Sequence, residues 1–190
     1  MKQSMMVISS SMNIEAGRGC IAGEMYFCGV DVIGNVDFAD DSKKTTVSQR
    51  EKMYDKIVEN VNYHIVVKNN TEIDDKGLSQ CIKECLEEII DYFPNRKYLY
   101  DGKAKFNCTE PNLEVLAKAD ALVKGVGAAS ILSKIIKDRS MKQHHKIYPV
   151  YGFNNNSGYG TKDHVAAIKE YGYCEYHRKS YKIKELEEWK

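Results

Sequence analysis

The sequence predicts an α/β fold in which helices flank a mixed central sheet. Segments with the apolar pattern of strands alternate along the chain with segments of helical periodicity. At 190 residues the chain is long enough for one well-packed domain and short for two. We therefore expect a single domain over residues 1–190, with its functional side chains where strand ends meet loops.

Five short apolar or β-branched segments are predicted to be the strands of this sheet. The first two are neighbours joined by a glycine-rich turn, and the last two deliver acidic residues, Asp101 and Asp120, at or just beyond their ends. The five segments cover residues 5–12, 24–33, 64–67, 97–100 and 113–118.

Helical periodicity and capping signals predict the helices between the strands. Ser48 and Glu51 have the spacing of a capping box for a first helix over about 47–61. The clearest helix has Asp74 or Asp75 as its N-cap and an apolar face that continues until Pro94. Small residues over 125–130 open a third helix and allow its start to pack closely, which directs Asp120 inward. Further helices are expected over 164–171, capped by Thr161 or Asp163, and over 182–189.

Charge is nearly balanced over the chain, with a net charge of +1, but it is unevenly distributed. Between residues 134 and 184 there are 11 Lys and Arg against 4 acids. Such a surplus favours a polyanionic partner, and it makes about 143–190 a basic, helical C-terminal portion. A basic face that meets only solvent is the alternative interpretation.

Cysteine usage and hydropathy indicate a cytoplasmic protein without a membrane span. The 6 cysteines form no Cys-x-x-Cys pair and no zinc-type spacing, which is typical of reduced thiols. Cys81 and Cys85 lie one helical turn apart on an apolar face and are expected in the core. No apolar run approaches the roughly 20 residues that cross a bilayer. A monomer is the expected assembly.

An acidic residue precedes a glycine-arginine-glycine turn at the end of the first predicted strand. In Glu15-Ala16-Gly17-Arg18-Gly19 the carboxylate supplies a hard oxygen ligand, and the glycines leave backbone amides open to an approaching phosphate. Asp101 and Asp120 are the best candidates to join Glu15. The hypothesis is that these distant carboxylates converge on one site for divalent metal.

Several short motifs follow one another along the chain. They are Glu15-Ala16-Gly17-Arg18-Gly19, Asp41-Ser42-Lys43-Lys44, Asp101-Gly102, Gly127-Ala128-Ala129-Ser130-Ile131-Leu132-Ser133-Lys134 with Asp138-Arg139, Gly158-Tyr159-Gly160-Thr161 and His177-Arg178-Lys179-Ser180-Tyr181. In order and spacing they resemble the motifs of ribonuclease HII, and the resemblance extends from residue 5 to about 183. The combination is specific although each motif alone is weak.

The resemblance implies the ribonuclease H fold and cleavage on the 5′ side of a ribonucleotide, in RNA–DNA hybrid or in duplex DNA with isolated ribonucleotides. It also implies catalysis by Mg²⁺ or Mn²⁺ held by Glu15, Asp101 and Asp120. The residues that would read the 2′-hydroxyl are Gly17, Arg18, Gly19 and Tyr159, and those that would hold phosphates are Lys43 and Lys44.

Ile14 departs from the family pattern, in which an aspartate that binds both metal ions precedes the glutamate. Isoleucine offers no oxygen ligand, so the site is expected to hold three carboxylates in place of four. On a strand, Asn13 would point to the opposite face from Ile14 and would not replace the missing ligand. Two functions follow as alternatives: a working endonuclease, or a protein that binds ribonucleotide-containing duplex without efficient cleavage. A third, in which the domain serves only protein contacts, is disfavoured by Arg18, Lys43 and Tyr159.

Overall fold

A mixed sheet forms the centre of the structure, a computed structural model that describes residues 5–10, 19–39 and 46–187. Within these residues the sheet has five strands in the order β3-β2-β1-β4-β5. β1 pairs with β2, and β2 with β3, in antiparallel fashion, whereas β1–β4 and β4–β5 are parallel. The strands are β1 Met5–Ser10, β2 Met25–Val32, β3 Val61–Lys68, β4 Lys97–Tyr100 and β5 Leu113–Val115.

Helices cover both faces of the sheet and continue beyond it. Those in the described ranges are α1 Val47–Val58, α2 Asn70–Lys76, α3 Leu78–Tyr92, α4 Lys124–Ile147, α5 Phe153–Asn156, α6 Lys162–Tyr171 and α7 Lys184–Glu187. Two short 3₁₀ turns, Ala119–Ala121 and Pro149–Tyr151, flank α4. The predicted α/β class with a mixed sheet is confirmed. Helix α4 is 24 residues long, so that it reaches from the sheet to the C-terminal portion.

The alternation of side chains along β1 separates two cores. Met6 and Ile8 point to the face that α3 covers, where Ile82 and Ile89 are buried. Val7 points to the other face and packs with α4 residues such as Ile131. A third apolar cluster joins Met141 of α4 to the C-terminal helices, so α4 links the sheet to that portion.

The capping box of α1 begins two residues earlier than predicted. The Thr46 hydroxyl accepts from the Gln49 amide, and the Gln49 side chain accepts from the Thr46 amide at 2.8 Å. Ser48 and Glu51 lie inside the helix instead. Residues 46–51 contain two overlapping cap-like patterns, and the backbone satisfies the earlier one.

The helix predicted to begin at Asp74 or Asp75 is α3, which starts at Leu78, and both aspartates lie in the preceding helix α2. Asn69 caps α2, and Gly77, with φ +81°, ends it before α3 starts at Leu78. The Asp74 carboxylate instead accepts hydrogen bonds from the backbone amides of Lys179 and Ser180 at 2.8 and 3.0 Å. The predicted N-cap was wrong because both aspartates are helical residues of α2, and Gly77 occupies the cap position of α3.

Two cations of the basic C-terminal third are interior residues. Lys137 is 2% exposed and Arg178 is 0% exposed. Arg178 donates from Nε and Nη2 to the Gly23 carbonyl at 3.1 and 2.9 Å. The sequence count therefore overstates the positive charge that the surface can offer to a polyanion. Across the described ranges, no helix combines the length and the apolar character of a membrane span.

Candidate active site

Asp101 lies at the end of the sheet where the parallel strands β1 and β4 end, against the turn that contains Asp120. Asp101 follows β4, and its amide donates to the carbonyl of Ile8 in β1 at 3.0 Å. Its Oδ1 accepts a hydrogen bond from the Ala119 amide at 2.9 Å, one residue before Asp120. The structure thus places Asp101 against the turn that contains Asp120, although 18 residues lie between the two acids in sequence.

Asp120 is 3% exposed and sits in the 3₁₀ turn Ala119–Ala121. Lys118 enters the turn in the left-handed conformation, with φ +62°. Gly127 of α4 packs so closely that a Cβ there would lie 2.6 Å from the Ala39 carbonyl and 3.5 Å from that of Asp120. The close approach expected of the small residues at the start of α4 is therefore present.

The third expected ligand, Glu15, lies outside the described residues, as do Gly17, Arg18, Lys43 and Lys44. β1 ends at Ser10, at the same end of the sheet as Asp101. In the part of the chain that the structure describes, no three acidic, histidine or cysteine side chains form a metal site. Asp101 and Asp120 are hard oxygen donors of the kind that Mg²⁺ and Mn²⁺ prefer, and Glu15 is needed to complete the expected set.

The segment after the glycine-arginine-glycine motif packs directly against the loop that contains Tyr159. The Gly158 carbonyl accepts from the amides of Ile21 and Ala22 at 2.8 and 3.2 Å. Gly158 itself has φ +79°, and a Cβ there would lie 2.3 Å from the Ala22 carbonyl. Because an L side chain would be strained and would collide with backbone, glycine is required for this contact. Two of the expected 2′-hydroxyl-reading residues, Gly19 and Tyr159, therefore belong to adjoining segments.

The ring and the backbone of Tyr159 are held separately. The Lys137 Nζ lies 4.1 Å from the centre of the ring, and the Tyr159 carbonyl accepts from His164 Nδ1 at 2.8 Å. Burial raises the pKa of the Tyr159 phenol, and the nearby Lys137 opposes that rise. The tyrosine as a whole is half-buried.

The residues around this loop make defined contacts that the sequence did not reveal. The Ser157 hydroxyl donates to Asp138 Oδ1 at 3.1 Å, and Asp138 Oδ2 accepts from Arg50 of α1 at 3.0 Å. Asn156 Oδ1 accepts from the Gly158 amide at 2.8 Å. Asp138 was visible only as part of a motif, because its partners are 19 and 88 residues away.

His164 and His177 form a buried pair behind the loop, and neither ring is exposed to solvent. His177 Nδ1 accepts from the Cys174 amide at 2.9 Å, which places the proton of a neutral ring on Nε2. The two Nε2 atoms are 3.1 Å apart, so that His177 can donate to His164. His164 then donates from Nδ1 to the Tyr159 carbonyl. Both rings are neutral in this arrangement, and no donor or acceptor is left over.

Acidification is expected to destabilise the protein through this pair. Burial, and secondly the proximity of His164, lower the pKa of His177 to about 4 from an ordinary value of 6.5. Burial also lowers the pKa of His164. The unfolded chain therefore binds more protons between pH 6.5 and 4, so stability is full above this window and decreases as pH falls through it. His177 alone corresponds to a loss of roughly 3 kcal/mol.

Urea unfolding at several pH values from 7 to 4 measures this effect, with His177→Asn as the test variant. Asparagine can still accept from the Cys174 amide but does not titrate, so its unfolding free energy should decrease less steeply between pH 6.5 and 4. His64→Gln is the matched control, because His64 is partly exposed and stacks on Tyr92. Equal slopes for the native chain and His177→Asn would contradict the prediction.

Comparisons with known proteins identify the family of this chain. The family model described as "Ribonuclease HII" matches residues 14–184. Ribonuclease HII of Sulfurovum sp. is 43% identical over 174 residues, which cover 92% of each chain. Ribonuclease HII of Aliarcobacter butzleri is 41% identical over 176 residues, 92% of this chain and 91% of the other.

Solved structures show the same fold at lower identity. The structure of the PCNA:RNase HII complex from Archaeoglobus fulgidus includes a chain that matches with a TM-score of 0.78 at 21% identity, over 95% of this chain and 96% of that one. The ribonuclease H2 of Pyrococcus horikoshii matches with a TM-score of 0.74 at 22% identity, over 97% and 98%. From its sequence relatives and from its fold, the chain belongs to the ribonuclease HII family of ribonuclease H-type endonucleases.

Proposed function

We propose that this protein binds duplexes that contain ribonucleotides and cuts the strand beside the ribonucleotide with the help of divalent metal ions. The substrates are RNA–DNA hybrid and duplex DNA with an embedded ribonucleotide. Family membership supports endonuclease chemistry in general, and the following residues support the particular substrate and cofactor.

The continuity of the chain through the site is the observation that carries the proposal. Ser10 ends β1 beside Asp101, and Gly19 adjoins the loop that contains Tyr159. The eight residues between them include Glu15 and Arg18, and eight residues span at most about 28 Å. The expected metal ligand and the expected ribose-reading motif therefore both belong to one short connection, which runs from the end of β1 beside Asp101 to the Tyr159 loop.

Glu15, Asp101 and Asp120 would hold the cations. When bound, the cations would supply an activated water and stabilise the leaving oxygen. The protein's own contribution is the rigid placement of the acids. The Ala119 amide orients Asp101 by its hydrogen bond, and the packing of Gly127 against the carbonyl of Asp120 sets the position of the second acid.

Recognition of the ribonucleotide would rest on Gly17, Arg18, Gly19 and Tyr159. Open backbone amides suit a 2′-hydroxyl, the group that distinguishes RNA from DNA at a given position, and the ring of Tyr159 offers a flat surface for the sugar. Lys43 and Lys44 would bind phosphates, which makes the affinity decrease as salt rises.

Ile14 favours a second candidate function, specific binding with weak cleavage. The side chain that precedes Glu15 is a hydrocarbon and provides neither charge nor oxygen to a metal ion. A site with three carboxylates then holds the cations less well than one with four. In this case the duplex would still be recognised, because the glycine-arginine-glycine motif and Tyr159 do not depend on Ile14.

A nicking assay on duplex DNA with a single ribonucleotide tests the proposal, with the same duplex made of DNA alone as the control. The assay is run in Mg²⁺ and separately in Mn²⁺, and binding is followed by fluorescence anisotropy over a range of salt concentrations. Nicking at the ribonucleotide supports the endonuclease. Specific, salt-sensitive binding without nicking supports the second function. If the protein binds the two duplexes equally and also cuts them equally, both candidate functions are ruled out.

A further inference from the structure

Lys137 is a fully buried lysine at a position where its cation contacts a ring and a thiol. Lysine is almost never fully buried without a partner, because removing its charge from water is costly. Its Nζ donates to Cys20 Sγ at 2.8 Å and lies 4.1 Å from the centre of the Tyr159 ring. Among the described residues, this thiol and this ring are the contacts of the amine, and it forms no ion pair with a carboxylate. The burial of this lysine therefore needs an explanation beyond the packing of α4.

The two groups that Lys137 contacts belong to the two segments expected to read the ribose. Cys20 directly follows Gly17-Arg18-Gly19, and its thiol donates onward to the Ser157 carbonyl at 3.7 Å. Tyr159 is the expected stacking ring. A cation within about 6 Å of an aromatic face is attracted to it, and the attraction increases when both are shielded from water. Lys137 thus links the residue that follows one motif to the ring of the other segment.

We propose that Lys137 is a positioning residue that sets the orientation of the Tyr159 ring relative to Cys20, the residue that follows the glycine-arginine-glycine motif, and so improves discrimination between ribose and deoxyribose. This inference rests on the proposed function, since it assigns Tyr159 to the sugar. Lys137 acts through Tyr159 and Cys20 and is not expected to touch the substrate.

The backbone around Tyr159 is held by contacts that do not involve Lys137. His164 donates to its carbonyl, Gly158 accepts from Ile21 and Ala22, and the Ser157 hydroxyl donates to Asp138. Loss of the lysine cation should therefore leave the loop in place and release only the ring. This separation distinguishes a positioning role from a general role in stability.

Lys137→Met removes the cation while keeping a long apolar side chain, and Lys137→Arg keeps the cation. The first measurement is the ratio of affinities for a duplex with one ribonucleotide and for the same duplex made of DNA, determined by anisotropy in Ca²⁺ to prevent cleavage. Lys137→Met is expected to reduce this ratio roughly fivefold. Lys137→Arg should restore most of it. In a Tyr159→Ala background, Lys137→Met should have no further effect.

The second measurement needs no nucleic acid. In protein labelled with 3-fluorotyrosine, the Tyr159 resonance is assigned by its absence in Tyr159→Phe. It should shift in Lys137→Met at neutral pH, whereas the other tyrosine resonances stay in place. Lys137→Gln replaces Lys137→Met in both measurements if the methionine variant does not fold.

The outcomes separate this inference from the proposed function. A native chain that binds both duplexes equally contradicts the proposed function and removes the basis of the inference. A native chain that discriminates, with a Lys137→Met variant that discriminates equally well, overturns the inference alone. An equal loss of discrimination on Lys137→Met with and without the Tyr159 ring also overturns it, because the lysine would then act independently of that ring.

Discussion

Replacing Ile14 with aspartate is expected to raise the rate of cleavage at an embedded ribonucleotide by about 10²-fold, the usual scale for one well-placed electrostatic contact. Aspartate adds an oxygen ligand and a negative charge immediately before Glu15. A fourth carboxylate strengthens metal binding and fixes the geometry that metal-assisted hydrolysis requires. Single-turnover nicking of the ribonucleotide duplex in Mg²⁺, with the native chain measured in parallel, gives the ratio.

Ile14→Leu is the matched control, since leucine has the same size and also lacks an oxygen, and its rate should equal that of the native chain. Binding of the uncleaved duplex should change little in either variant, because recognition is assigned to other residues. A native chain that already cleaves as fast as Ile14→Asp would show that three carboxylates suffice. It would also remove the reason for the second candidate function.

Asp101→Asn, made in the Ile14→Asp background, is expected to reduce cleavage by at least about 10²-fold. In this structure the substitution should change the charge of residue 101 and leave its hydrogen bond in place. Asparagine keeps the oxygen that accepts from the Ala119 amide, so the turn that contains Asp120 should be retained, and only the charge is lost. Rates come from the same nicking assay in Mg²⁺ and in Mn²⁺.

Thermal unfolding with and without metal separates lost chemistry from lost structure. In millimolar Mn²⁺ the parent should melt at a higher temperature than without metal, because the cations bind only the folded chain. Asp101→Asn should lose most of this increase while melting normally without metal. Asp91→Asn, at an exposed position in α3, removes the same charge away from the site and should keep both rate and metal response. Full activity of Asp101→Asn would exclude Asp101 as a ligand.

Local patterns predicted most of the elements because each of those elements is stabilised largely by its own residues. β4 at Lys97–Tyr100 coincides with its predicted span, and Thr161 caps α6 as one of the two predicted alternatives. The N-cap predicted at Asp74 was wrong, and the carboxylate makes a distant contact instead. Asp74 looks like an N-cap in sequence, but its oxygens accept hydrogen bonds from residues more than 100 positions away.

In the site, too, some features could be predicted from local patterns and others depend on distant contacts. Acids at strand ends and glycines around a charged residue are visible in sequence, so Asp101, Asp120 and Gly19 were identified as candidates before their positions were known. The neighbours of Tyr159 could not be identified in this way. Nothing around Lys137 in the sequence distinguishes it from the exposed lysines of α4, and its burial depends on how α4 crosses residues 20 and 159.

By itself the sequence determined the alternation of strands and helices, the family, the candidate acids and the absence of an oxygen ligand at Ile14. These features depend on residue type and spacing, and both are given directly by the sequence. Only the tertiary structure decided that Asp101 contacts the turn of Asp120, that Gly158 lies against Ala22, and that Lys137 and Arg178 are interior cations. Such facts depend on close packing between residues far apart in the chain, and packing of that kind leaves no periodic pattern in the sequence.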